Sequence, residues 1–238
     1  LLAFLLLGTL LGLIEIQART FAENFAYFLT ILSGGYCLYL FLFAGLTVNE
    51  KKNVLMLFSL FVAAAAFWSG FDQSGGSLNI FARDYTDLSI GKFEIPVSWV
   101  QFFNPIFVVI FAPLFAALWA NLARYNLDPS LPVKFVFGLL LMVFSFVVML
   151  YAVGLALQQE LVSDRWLLLT YLLHTWGELA LSPIGLSAFS RYSPKKYVGQ
   201  MFGLWFLASA IGGVLAGILG GEALGSGLRS ITPIFSFM

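Results

Sequence analysis

The chain has 238 residues, of which 61% are hydrophobic and only 10% charged, with a formal net charge of zero. A soluble domain carries roughly a quarter charged residues, so this balance excludes an ordinary soluble globule and points to a membrane protein. Zero net charge gives no basic footprint for nucleic acid, and one Cys (Cys37) with one His (His174) can form neither an internal disulfide nor a zinc site.

A helix crossing the hydrocarbon core needs about 20 mostly apolar residues. Runs of that kind fall at 1–18, 25–47, 54–72, 97–122, 133–157, 166–190 and 198–220, with a further one starting near Ile231. The expected fold is all-α: a polytopic bundle of seven full transmembrane helices and a partial one. The runs are too long, and too free of alternation, for barrel strands. The chain opens "LLAFLLLGTL", a helix already under way rather than a secretory signal, and closes just inside another run. Both ends read as truncations.

The connections are polar or broken by proline: "TVNEKKN", "RYNLDPSLPVK", "QQELVSDR" and "RYSPKKYVGQ". The longest, Gln73 to Pro96, holds Arg83, Asp84, Asp87, Lys92 and Glu94, so most of it is expected to meet water. Lys51, Lys52, Arg124, Lys134, Arg191, Lys195 and Lys196 fall in alternate connections on one side, which the positive-inside tendency makes cytoplasmic. Cys37 sits in an apolar stretch and reads as a small packing residue.

Ionisable and polar residues inside a span are costly and usually face a bundle interior or a wet cavity. In "HTWGELALSPIGLS", His174, Glu178 and Ser182 are four apart and share one helix face. Glu178 can bind a cation, pair with an ammonium or carry a proton; the bland alternative is a structural ion pair with a neighbouring helix. His174 reads equally well as a hydrogen-bonded packing residue. Pro183, flanked by Gly177 and Gly185, is either a loosened site or plain helix shape. In "FWSGFDQSGGSLN", Trp68, Phe71 and Asp72 share a face. An aromatic wall beside a carboxylate suits a ligand carrying an amine, and an interfacial belt with a helix-end acid is the alternative. In "FFNPIF", Asn104 before Pro105 either meets substrate or satisfies a carbonyl freed by the proline. Trp205 lies mid-span, where an indole is ordinary core more often than site. Gly199 with Gly203, and Gly213 with Gly217, have the small-xxx-small spacing that brings helices together. No nucleophile constellation, phosphate loop or paired cysteines occur, so an enzyme is not expected.

Taken together, "FWSGFDQSGGSLNIF", "RDYTD", "FNP", "WGELALSPIGLS" and "SPKKYVGQMFGLWFLASAIGG" resemble the C-terminal half of the proton-dependent oligopeptide transporters of the major facilitator superfamily. The resemblance covers about 53–238. It implies a C-terminal six-helix bundle over 53–238 with its last helix cut short. By position, 1–52 then resembles the helical hairpin that bacterial members carry between their two halves, with its cytoplasmic link.

The resemblance implies uptake of di- and tripeptides across the cell membrane by symport with protons. It needs no cofactor beyond the coupling proton, and its partners are the bilayer and the N-terminal half-bundle. It places the site at the membrane midplane between two bundles. Glu178 matches the glutamate that receives the peptide amino terminus, Ser182 the serine one turn below, and Asn104 the asparagine that reaches the same end, with Pro105 beside it. Trp68, Phe71 and Trp205 match the aromatic walls, and Asp72 a gate position facing a basic residue of the other half. His174 matches no role. The first-helix Glu-x-x-Glu-Arg run and the lysine and tyrosines that hold the peptide carboxylate are missing, so this chain is expected to hold half a site and not to transport alone. A facilitator for nitrate or an amino-acid derivative, and a non-transporting receptor or scaffold, are the alternatives. An ionised Glu178 would repel nitrate.

Overall fold

The computed structural model describes residues 17–158 and 161–223, together with Thr232, Pro233, Phe235 and Ser236 near the C-terminus. The predicted runs at 1–18 and from Ile231 lie almost wholly outside the described residues. The described chain is built of α1 (Ala18–Leu42), α2 (Val48–Phe71), α3 (Ser77–Tyr85), the short α4 (Val97–Val100), α5 (Phe103–Arg124), α6 (Leu131–Ala156), α7 (Arg165–Tyr192) and α8 (Val198–Ala223).

Local chemistry sets the ends. Thr47 caps α2 by accepting from the Glu50 amide, and the Glu50 carboxylate returns the bond to the Thr47 amide. Asn126, with φ at 57°, ends α5 in the left-handed region, and the Leu127 amide reaches back to the Leu122 carbonyl at 2.8 Å. Pro132 sits in the first turn of α6, where its missing donor costs nothing.

Among the described residues, five stretches are long and apolar enough to span a membrane: Arg19–Leu42, Val48–Tyr85, Val97–Arg124, Leu131–Ala156 and Val198–Gly221. The expected count of seven is not confirmed among the described residues. The first run is not described, and α7, though 28 residues long, is diluted by His174, Glu178, Ser182 and Pro183. At 1.5 Å per residue α7 is still about 42 Å long, more than the roughly 30 Å hydrocarbon core.

The third span also runs further than expected. The expected run ends at Asp72, but the chain makes one 3₁₀ turn over Asp72–Gly75 and resumes as α3. Gln73 explains it: buried, it donates to the Ala216 carbonyl at 3.2 Å and accepts from Ser77 at 2.7 Å. Leu78, Phe81 and Ala82 then bury one face of α3. The polar connection begins only after Tyr85. It holds a two-residue parallel pairing of β1 (Thr86–Asp87) with β4 (Val162–Ser163), and a small hairpin of β2 (Ser89–Ile90) with β3 (Phe93–Glu94). These short strands tie connections together and leave the protein all-α.

α7 is the centre of the bundle, packed most extensively on α6 and also on α5, α2 and α8. Outward rows such as Val136, Leu140, Val143 and Val147 on α6, and Ile106, Val109 and Ile110 on α5, stay exposed. α5 buries no residue at all. Apolar rows of this length facing out are what a bilayer covers.

Of the spaced pairs, Gly213 alone has a close neighbour, the Asp72 carboxylate, and the closest backbone approaches fall at other glycines. A methyl group on Gly138 would lie 2.9 Å from the Gly177 carbonyl oxygen, and one on Gly177 would lie 2.9 Å from that of Gly138. Gly212 presses on Trp68 and on the α2 backbone at Ala65 and Ser69, and Gly185 lies under the Trp205 ring. Nothing lies within 4 Å of a methyl on Gly199, Gly203 or Gly217. Gly199→Ala and Gly203→Ala will be neutral or stabilising by up to about 1 kcal/mol. Gly177→Ala, meeting fixed backbone, will cost about 1–3 kcal/mol. Thermal melting in one detergent separates the two groups; equal shifts would sink this account of the packing.

Candidate functional site

The polar residues of α7 do not point alike. Glu178 is half-buried and turns to α5, where the Asn104 side-chain amide donates to it at 3.1 Å. The same amide donates to the Thr175 hydroxyl at 3.1 Å, and Thr175 in turn donates to the Tyr171 carbonyl at 2.8 Å. One asparagine thus bridges α5 to two adjacent positions on α7. Among the described residues no Lys or Arg forms an ion pair with Glu178. The structural ion pair weighed as an alternative is not seen among the described residues. One amide bond leaves most of its lone pairs open to a further donor.

Pro105 explains how Asn104 is free to do this. α5 starts at Phe103 after a turn that follows α4, so Pro105 falls in the first helical turn and is exposed. Its missing amide hydrogen leaves no orphan carbonyl for Asn104 to satisfy, and the side chain crosses to α7 instead. Thr175 was not singled out from the sequence. A threonine bonding its own helix at i−4 looks ordinary; its position three residues before Glu178 was the available signal.

His174 lies one turn from Glu178 but is turned to the interior. It is 1% exposed, and neither ring nitrogen has a hydrogen-bond partner among the described residues. Its ring lies 5.6 Å from Phe146, 5.9 Å from Phe71 and 6.4 Å from Tyr171. The hydrogen-bonded packing histidine expected from sequence is a packing histidine without the bonds. A cavity of about 130 Å³ lies beside it, lined by Phe71, Ser74, Gln101, Asn104, Tyr171 and His174. Phe71 therefore reaches the Asn104 neighbourhood, and Trp68 stands edge-on to it at 5.1 Å.

Asp72 opens on a different space, a cleft of about 680 Å³ between the 3₁₀ turn, α3 and α8. Its carboxylate would lie 3.0 Å from a methyl on Gly213. Ser182 is half-buried one turn beyond Glu178 and makes no side-chain hydrogen bond among the described residues. Trp205 is only 5% exposed, over Gly185 and between Phe189 at 5.3 Å and Phe135 at 6.3 Å. Gly185 lies two turns along α7 from Glu178, so Trp205 packs in the core there, away from the Asn104–Glu178 pair. Cys37 packs half-buried against the apolar core, as expected.

Thr175→Val keeps the shape and removes one acceptor. Stability will fall by about 0.5–1.5 kcal/mol, read by thermal melting, while Asn104 keeps its bond to Glu178. A loss as large as that of Asn104→Ala would contradict this division of the bridge.

Residues 25–221 match the family model described as the POT family. The chain is 39% identical over 227 residues to a peptide transporter, YePEPT, of Yersinia enterocolitica, covering 94% of this chain and 44% of that one. It is 32% identical over 166 residues to a di-/tripeptide transporter of Lactococcus lactis, covering 68% of this chain and 33% of that one. Among solved structures, a peptide transporter POT in complex with sulfate superposes with a TM-score of 0.87 at 30% identity, over 99% of this chain and 47% of that one. A POT family transporter in complex with 5-aminolevulinic acid superposes with a TM-score of 0.86 at 25% identity, over 99% and 48%. The chain thus spans at most about half the length of the relatives it matches. With its apolar spans and this agreement in sequence and fold, the chain is a multi-pass membrane protein and belongs to the POT family of transporters.

Proposed function

We propose that the chain is the C-terminal half of a proton-coupled symporter for di- and tripeptides, with 1–52 as a helical hairpin and 53–238 as the bundle. The observation that carries the reading is the Glu178 carboxylate, bridged to Asn104 across α5 and α7 and lacking a basic partner among the described residues. A half-buried acid with open lone pairs suits an ammonium, such as a peptide amino terminus. Charge pairs strengthen as water is excluded.

In this reading Glu178 holds the amine, Asn104 positions the carboxylate and can reach the same end of the peptide, and Ser182 offers one more hydrogen bond. Pro105 sets the start of α5. Phe71 and Trp68 form an aromatic wall, and Trp205 acts through Gly185 as packing. Asp72, exposed on its cleft, suits a gate contact with a basic residue of an N-terminal half. The names of the Yersinia and Lactococcus relatives favour peptide over other substrates. No enzyme activity is part of the reading.

The test is uptake of labelled dialanine into liposomes holding the full-length transporter. Accumulation that requires an inward proton gradient supports peptide symport. Uptake indifferent to the gradient, or none with folded protein, would overturn it.

A further inference from the structure

His174 takes no part in the bridge between α5 and α7, yet its polar atoms are the worst served in the bundle. It is 1% exposed, and both ring nitrogens lack a hydrogen-bond partner among the described residues. No other described side chain has two buried polar atoms in that condition. A neutral imidazole brings one donor and one acceptor, and leaving both unmade inside an aromatic layer is costly.

The ring borders the cavity of about 130 Å³ between the 3₁₀ turn, the start of α5 and α7, which has room for roughly four water-sized groups. Its other polar walls are also unspent. The Ser74 hydroxyl and the Gln101 side chain make no hydrogen bond among the described residues. The Tyr171 hydroxyl donates to the Ser74 carbonyl at 3.3 Å and keeps its own lone pairs. No charged side chain is among the described residues that line the space, so a carboxylate or an ammonium would find no counter-charge there. Mixed donors and acceptors without charge suit a neutral group that does both, a carboxamide or a hydroxyl. Asn104 fixes where such a group comes from. It lines this cavity and also donates to Glu178 at 3.1 Å. In a peptide whose amine sits on Glu178, the first side chain branches from the carbon that carries the amine, and so starts beside Asn104.

We propose that this cavity is a subsite for the first side chain of a bound peptide, and that His174 makes it favour a short carboxamide or hydroxyl side chain over an apolar one of the same shape. This rests on the peptide reading of Glu178. Asparagine and leucine side chains are close to isosteric, so hydrogen bonding separates them. Asparagine supplies the donor and acceptor that the imidazole lacks; leucine leaves both nitrogens buried and unpaired.

The test is competition for labelled dialanine uptake into liposomes holding the full-length transporter. Unlabelled Asn-Ala will halve uptake at roughly tenfold lower concentration than Leu-Ala, a difference of about 1.4 kcal/mol. Asp-Ala, of the same shape but charged, will show no such advantage, and Ala-Asn will show none over Ala-Leu. His174→Phe, which keeps a ring in the aromatic layer, will bring Asn-Ala to within about twofold of Leu-Ala. Gln101→Leu, on the exposed rim, will narrow the gap without touching the buried ring. Melting curves in detergent verify that each variant is folded, and Gln101→Leu decides alone if His174→Phe is not. Equal competition by Asn-Ala and Leu-Ala in the native chain would overturn the subsite while peptide uptake stands, as would a gap that survives substitution of the walls. An equal gap for Ala-Asn over Ala-Leu would place the selection elsewhere and overturn it too. Absence of any dialanine uptake by folded protein would instead remove the peptide reading, and the subsite with it.

Discussion

In the full-length transporter, Glu178→Gln lowers peptide uptake at sub-saturating substrate by roughly 10–150-fold. The estimate is the loss of one hydrogen bond to a charged group, about 1.5–3 kcal/mol, converted at tenfold per 1.4 kcal/mol. The substitution is chosen because it keeps the geometry. A glutamine oxygen can still accept from Asn104, so the bridge between α5 and α7 persists and the melting temperature stays near that of the native chain. What is lost is the negative charge opposite an ammonium. Glu178→Asp retains the charge but draws it back by one methylene from Asn104, and falls between the two. Native uptake in Glu178→Gln would remove this carboxylate from the site.

The second large effect is on stability. Gly212→Val places a branched side chain where a single methyl already meets the Trp68 Cβ at 2.5 Å, the Ala65 carbonyl at 2.9 Å and the Ser69 amide at 2.9 Å. Two of those neighbours are α2 backbone and cannot rotate away, so α2 and α8 must separate. The cost is about 3 kcal/mol, the upper end of ordinary overpacking. Gly217→Val, in the same helix with open space around it, costs less than about 1 kcal/mol. Melting of the two variants side by side checks it. Equal destabilisation would mean that valine in α8 is unfavourable for itself, and that the α2–α8 contact is not what Gly212 serves.

These glycines also show where reading the sequence stops. Spacing of four along one helix singled out Gly199 with Gly203 and Gly213 with Gly217, but a close approach is a property of two helices. The Gly138–Gly177 contact joins residues 39 apart, which no single-helix pattern contains. Membrane class and most helix positions were legible because long apolar runs are set by one variable, the cost of exposing polar backbone to lipid. The extension through Gly75 and Gly76 was not, because it rests on Gln73 finding the Ala216 carbonyl far along the chain.

At the site, Glu178 and Asn104 stood out as polar residues inside apolar runs, and they do meet. The packing alternative for His174 is what the structure shows, without the hydrogen bonds expected of it among the described residues. Sharing a face at i and i+4 fixes direction only roughly, and the imidazole turns into the aromatic layer of Phe71 and Phe146. Trp205 was legible as an indole in a span; its place over Gly185 was not.

The two seams of α7 differ in stiffness. On the α6 side, backbone lies nearly on backbone at Gly138 and Gly177, and any sliding must first lift one helix off the other. On the α5 side, the helix buries no residue, and the polar hold at its start is one forked amide. The α5–α7 seam, where Glu178 sits, is held by side chains instead: that amide, and the ring contacts of Phe103 with Tyr171 at 6.2 Å and of Phe111 with Trp176 at 5.4 Å. A guest that takes over the carboxylate from Asn104 would remove that amide bond as it binds, while the backbone contact of α6 with α7 stays untouched.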